Sequence, residues 1–278
     1  MKALFDQVSF KASKFTTHTY STSFSMGTRF LGSSVRNPIY GIYGFVRFAD
    51  EIVDSFHGYD KETLLQKFKE DTYHAIDSKI SLNPILNSFQ KAVHDYSIDR
   101  ELIDTFLESM EMDLHKTEYS KQGYEKYILG SAEVVGLMCL KVFVNGDKAL
   151  YQKLEFSAMR LGAAFQKINF LRDLRDDYQE MGRTYFPGVD LSSFSKEEKK
   201  LIEKEIEADF AEGYVGILQL PKNSRFGVYM AYVYFYKLFK KIERTDASKL
   251  LKARIRIPNN KKYALFLEGY IKHSLNLI

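Results

Sequence analysis

Two stretches of this 278-residue chain place oxygen-bearing side chains at helical spacing inside apolar sequence. The first is QKINFLRDLRDDYQEMGRTYFP, Gln166 to Pro187. No proline precedes Pro187 and no glycine precedes Gly182, so helix is permitted over most of its length. At about 3.6 residues per turn, Gln166, Asn169, Asp173 and Asp177 fall along one side, with Arg172 and Asp176 just off it. The second is IYGIYGFVRFADEIVD, Ile39 to Asp54, where Tyr43, Arg47, Asp50 and Asp54 share a side and Glu51 lies beside them. Its remaining sides are almost wholly apolar, the pattern of a buried helix. Aspartate is rarely buried unless it is paired or binds a metal.

Two carboxylates ~6 Å apart repel by roughly 3 kcal/mol at an effective dielectric near 20. Four or five acids facing one cavity must therefore take up protons or bind a multivalent cation. Carboxylate and amide oxygens suit Mg²⁺, which commonly bridges to phosphate oxygens. Arg47 and Arg172 are then explicable as donors to the same phosphate. Two such helices, a magnesium cluster and a diphosphate in an aromatic, apolar cavity suggest ionisation of an allylic diphosphate. Metal and arginine stabilise the leaving group and aromatic faces shield the carbocation. The competing reading is structural: Arg47 pairs with Asp50 or Asp54, and Arg172 with Asp176. A third four-spaced pair, Asp95 and Asp99, lies in polar sequence and reads as ordinary, with Asp99 a helix cap.

Glycine and proline punctuation, with apolar residues at three- and four-residue spacing, predicts an all-α chain. The expected helices are 3–15, 20–31, 36–57, 61–78, 83–95, 99–115, 121–145, 147–180, 195–218, 223–244 and 259–276. Ser195 and Glu198 form a capping box. No repeat or low-complexity linker appears, so residues 1–278 read as one domain. Tyr20 and Ser23, in YSTSF, read locally as hydroxyl caps before an apolar helix. In YILGSAEVVG, Gly130, Ala132 and Gly136 let a helix or a long ligand approach closely, while Glu133 requires a partner in apolar company. Arg254 and Arg256, in KARIRIP, read as solvated.

Hydrophobic residues at 45% and charged residues at 27% are ordinary for a globular protein. A formal net charge of +4 without a dense basic run gives no argument for nucleic acid. Cys139 is the sole cysteine, so no intrachain disulfide forms and a reducing compartment fits. The N-terminus lacks the apolar core of a signal peptide. No stretch approaches ~20 apolar residues, so no membrane span is expected. The segment Tyr263 to Ile278, broken by Glu268, Lys272 and His273, reads as a core-packing helix rather than a membrane-surface one.

At YGFVRFADEIVD and at QKINFLRDLRDDYQEMGRTYFP, continued through Arg183, Tyr185 and Pro187, the chain resembles the squalene/phytoene synthase family. The YSTSF, Tyr127 to Gly136 and ARIRIP segments fall in the family's order. The resemblance implies a single-domain isoprenoid-synthase helical bundle around a central cavity. It implies head-to-head joining of two prenyl diphosphates through a cyclopropyl diphosphate. It implies metal binding by Asp50, Asp54, Asn169, Asp173 and Asp177, with Mg²⁺ replaceable by Mn²⁺. Diphosphate contacts fall to Ser23, Arg47, Gln166 and Arg172, with Arg254 and Arg256 added, and Tyr20, Tyr43 and Tyr127 stand near the reacting centre. Two residues depart from the pattern: Glu51 where aspartate is frequent, and Glu133 where a small residue is frequent.

Within the family the chain looks most like a bacterial-type phytoene synthase acting on geranylgeranyl diphosphate. Dehydrosqualene synthase, acting on farnesyl diphosphate, is the runner-up. No C-terminal anchor of the eukaryotic squalene synthase type is expected, and no nucleotide cofactor. A chain-elongating prenyltransferase or terpene cyclase is a second enzyme reading, and a non-catalytic assembly protein of the same fold a third. The expected protein is cytoplasmic and visits the inner membrane face, because its substrate and product are greasy.

Overall fold

Short polar side chains start many of the helices. Ser21 accepts from the Phe24 N–H, Asp60 from Thr63, Asn83 from Ile85 and Leu86, and Ser120 from Gly123. Ser195 and Glu198 form the expected capping box. A computed structural model describes residues 1–115, 119–181, 184–189 and 194–258, except for the side chains of Asp177, Gln179, Glu180 and Met181. The helices are α1 (Lys2–Tyr20), α2 (Thr22–Arg29), α3 (Ser33–Ser55), α4 (Lys61–Ser78), α5 (Pro84–Tyr96) and α6 (Arg100–His115). There follow α7 (Lys121–Ile128), a π turn (Leu129–Glu133), α8 (Val134–Val144) and α9 (Lys148–Met181). The series ends with α10 (Lys196–Gln219), α11 (Lys222–Glu243) and the single turn α12 (Ala247–Leu250). No β-strand element occurs among the described residues, as the all-α expectation required.

Three details differ from the sequence reading. α1 runs to Tyr20, so Tyr20 ends one helix instead of opening the next, and Ser21 is the cap. Ser23 lies inside the first turn of α2. The expected helix 121–145 is interrupted by the π turn, which hydrophobic spacing does not reveal. The same segment corrects the expectation about apolar length: within Lys121–Val144, long enough to cross a membrane, lies an 18-residue window with a mean hydropathy of 1.7. Two thirds of it is buried inside the protein, as in a core helix. The expected helix 259–276, and Arg183, lie outside the described residues.

Two large apolar clusters hold the bundle. One joins α3, α4, α5 and α6 around Phe45, whose ring stacks on Phe89 at 3.9 Å between centroids. The other joins α9, α10 and α11 through Ile168, Leu171, Ile206, Phe210, Leu238 and Phe239. α3 and α9, which carry the two acid-rich stretches, belong to different clusters. The π turn and α8 lie between them, packing on α6 on one side and α9 on the other. That packing depends on missing side chains. A Cβ on Gly130 would lie 2.5 Å from the Ser109 Cβ, and one on Gly162 would lie 2.6 Å from the Ala132 carbonyl oxygen.

Phe45 is wholly buried among aromatic neighbours. Phe45→Ala is expected to lower the unfolding free energy by about 3–5 kcal/mol. Chemical denaturation checks this, as a lower midpoint at unchanged slope.

Candidate active site

α3 delivers Tyr43, Arg47, Asp50, Glu51 and Asp54 one turn apart. The Arg47 guanidinium donates to Asp50 at 2.5 Å and also to Glu51. Its Cζ lies 4.5 Å over the Tyr20 ring, a cation–π contact that ties the end of α1 to the site. Tyr43 stacks on Phe24 at 4.6 Å and shares a hydrogen bond with Ser21. Burial raises the Tyr43 hydroxyl above its ordinary range, against the opposing charge of Arg47. Ser23 is half-buried in the first turn of α2. The structural alternative weighed from sequence is present in part, since Arg47 does pair with Asp50.

The acids of α3 are crowded. Burial first, and then the Asp54 charge, push the Asp50 carboxyl up to about 7, with Asp113 and Glu51 acting the same way and Arg47 against them. Such a group is satisfied by a proton or by added positive charge.

On α9, Gln166, Asn169 and Asp173 form the expected line. The Gln166 Oε1 accepts from the Asn169 amide at 3.3 Å. Arg172 pairs with Asp173, donating from Nε at 2.9 Å, and not with Asp176 as the sequence suggested. Arg175 takes Asp176 instead, at 2.7 Å. Arg254, expected in solvent on its own sequence, reaches Asp173: its Nε lies 2.6 Å from Oδ1, and NH2 donates to Oδ2 at 3.1 Å. Arg256 is exposed, and its carbonyl accepts from Lys241. The side chain of Asp177 lies outside the described residues.

Asp113 links the two stretches and was missed in the sequence. Its carboxylate accepts from the Tyr127 hydroxyl at 2.7 Å and from Tyr119 at 3.2 Å, deep in the protein. Its charge acts on Asp50 of α3. Tyr127 packs against Phe170 of α9 at 6.0 Å and Tyr185 at 5.4 Å, and Tyr185 stacks flat on Phe170 at 4.0 Å. Burial and the Asp113 charge hold the Tyr127 hydroxyl well above its ordinary range, so it stays a proton donor. The available signal was an acid bracketed by Met110, Met112 and Leu114. Glu133 finds the partner it required: Arg160, which also donates to Asp209 at 3.3 Å. Buried Lys167 joins Asp209 at 2.7 Å, so these charges form one network behind the site.

Beside the acids lies an apolar cavity of about 250 Å³, lined among others by Phe24, Leu31, Val135, Cys139, Phe165 and Gln166. Phe24 connects it to Tyr43, and Gln166 connects it to the Asn169–Asp173 line. Ala132 and Gly136 also line it, so the small residues of that segment serve both helix approach and open space.

Among the described residues no three Asp, Glu, His or Cys side chains gather closely enough to grip one ion; arginines stand on the carboxylates. The donor set nevertheless suits a hard cation. Asn169 Oδ1 is buried without a hydrogen-bond partner, and Asp50 sits among like charges. Arg47 Nε is likewise buried without a hydrogen-bond partner among the described residues.

The family model described as squalene/phytoene synthase matches residues 17–261. Phytoene synthase 1 of Solanum lycopersicum is 25% identical over 275 residues, which are 91% of this chain and 65% of that protein. The phytoene synthase of Arthrospira platensis is 25% identical, covering 88% of this chain and 87% of its own. The chain thus spans about two thirds of the plant relatives' length and most of the Arthrospira protein. Among solved structures, a dehydrosqualene synthase in complex with ligand superposes with a TM-score of 0.81 at 19% identity, over 98% of both chains. A squalene synthase from Alicyclobacillus acidocaldarius gives 0.75 at 20% identity, over 86% of this chain and 94% of that one. These superpositions establish the fold, and the sequence match through both acid-rich stretches establishes the kinship: the chain belongs to the squalene/phytoene synthase family.

Proposed function

We propose that the protein joins two prenyl diphosphates head to head, and that its substrate is geranylgeranyl diphosphate and its product phytoene. One observation carries the reading. A cluster of acids and arginines adjoins an apolar cavity through shared residues, with Phe24 and Gln166 belonging to both settings. An anionic head with a long hydrocarbon tail fits that juxtaposition. The phytoene synthase relatives support the C20 substrate. The modest cavity favours farnesyl diphosphate as second reading, since ligand pockets commonly run from about 300 Å³ upward.

Arg47, Arg172 and Arg254 are the donors to the diphosphate, each exchanging a carboxylate for a phosphate oxygen. Asp50, Asp54, Asn169 and Asp173, with Asp177, would hold Mg²⁺, which when bound supplies the positive charge that offsets the leaving diphosphate. Tyr127, Tyr119, Tyr185 and Phe170 present aromatic faces to the allylic carbocation. The apolar cavity encloses the tail and keeps water from the cation. Asp113 fixes the Tyr127 ring by accepting its hydroxyl proton in a hydrogen bond.

Incubation with Mg²⁺ and geranylgeranyl diphosphate alone is expected to yield a C40 hydrocarbon. A C30 product from farnesyl diphosphate alone selects the second reading. A requirement for isopentenyl diphosphate, or no product from any prenyl diphosphate, sinks both. Asp50→Asn and Asp173→Asn are each expected to lower kcat at least about 100-fold with the helical spectrum intact. Asp113→Asn leaves one carbonyl oxygen to accept from two tyrosines; kcat is expected to fall about 10- to 100-fold, with KM and melting temperature little changed.

Stability should also follow pH. The Asp50 carboxyl titrates near 7 in the fold against 3.8 ordinarily, so folding takes up a proton between those values. Its contribution is full below the lower value and is lost as pH rises through the upper one. A cation bound to the ionised acids opposes that loss. Mg²⁺ is therefore expected to raise the melting temperature more at about pH 8 than at about pH 6, and an equal shift at both would remove the ionised cluster as its site.

A further inference from the structure

α1 is amphipathic the wrong way round for a helix that only supports a bundle. Its buried residues are Ser9, Ser13, Thr16 and Thr17, while Leu4, Val8 and Phe15 are 59%, 50% and 73% exposed. At about 100° per residue, those three apolar residues fall within a sector roughly 40° wide, opposite the hydroxyls. The small inward side chains have a packing reason: Ser13 meets Ser88 of α5 at 2.6 Å, a closeness that larger residues would prevent. Nothing in the packing accounts for the outward leucine, valine and phenylalanine.

The charge beside the stripe has one sign. α1 carries Lys2, Lys11 and Lys14 against the single acid Asp6, and Asp6 is turned inward to Lys2 and Asn87. Lys11 and Lys14 are exposed and form no ion pair among the described residues. An apolar strip bordered by unpaired lysines is the surface that an anionic bilayer complements. The helix then ends at Tyr20, over whose ring the Arg47 guanidinium sits.

We propose that the outer face of α1 docks on the surface of an anionic lipid membrane, with Leu4, Val8 and Phe15 entering the headgroup boundary and Lys11 and Lys14 meeting lipid phosphates. Docking there would hold the protein at the bilayer from which a prenyl diphosphate would enter. The purpose rests on the prenyl-transfer reading; the binding does not, and is read without turnover.

The test is flotation of the full chain with vesicles of phosphatidylcholine, alone or mixed with phosphatidylglycerol. Co-flotation is expected with the mixed vesicles at low salt, weakening as salt is added. L4S/F15S and K11E/K14E should each lower the bound fraction at least about tenfold, with unchanged melting temperature and activity on detergent-dispersed substrate within about twofold of the parent. Parental flotation by both variants, or none by the parent, overturns the proposal. So does light scattering that finds a parental dimer made monomeric by L4S/F15S with no vesicle binding, which would assign the stripe to a second copy. Absence of hydrocarbon product with flotation intact would instead count against the enzymatic reading alone.

Discussion

Like charges held in an apolar shell govern this structure. Asp50 stands among Asp54, Asp113 and Glu51 on a helix whose other sides are core, and the field of its neighbours drives it toward neutrality. The protein answers with guanidinium groups: Arg47 on Asp50 and Glu51, Arg172 and Arg254 on Asp173. Here the Arg47 Nε and the Asn169 Oδ1 are both buried with no partner, one a donor and one an acceptor. Each is costly to bury empty-handed, by about 1–3 kcal/mol, so their survival side by side with the acids fits a site organised for something more polar than itself.

The aromatic wall follows from the same constraint. The hydroxyls of Tyr127 and Tyr119, buried near acids, both donate to Asp113. That fixes their rings as well as their protons. The ring of Tyr127 then packs beside Tyr185, and Tyr185 lies flat on Phe170. One carboxylate thereby orders a cluster drawn from α6, α7, α9 and the segment after α9. The network of Glu133, Arg160, Asp209 and Lys167 plays a comparable part between the π turn, α9 and α10, with opposite charges matched in pairs.

Much of this was legible in the residues. The two acid-rich helices, their polar stripes and the apolar flanks of α3 follow from periodicity, and the capping box at Ser195 from local chemistry. Partners across the fold were not legible. Local spacing suggested Arg172 with Asp176, whereas geometry pairs each arginine with the acid next to it in sequence, Asp173 or Asp176. Arg254 read as solvated because local sequence shows no acid beside it, yet the chain after α12 returns it to Asp173 of α9. Asp113 was overlooked because it is one of five acids on α6 and has no acid at four-residue spacing; its meaning lies in two tyrosines that the sequence places up to fourteen residues away. Tyr20 and Ser23 were read as caps, and the true cap between them, Ser21, differs only in backbone geometry.

The π turn at Leu129–Glu133 has a geometric result of its own. On an unbroken helix, the mean direction of Val135, Gly136, Cys139 and Phe143 would lie roughly 130° round the axis from Tyr127. One additional residue in a turn takes back roughly 100° of phase, which leaves the two sets within roughly 40° of each other. Thus a single rod shows the tyrosine cluster and the hollow beside it the same flank. One residue's worth of helical slack thereby turns both sets toward one side of the rod.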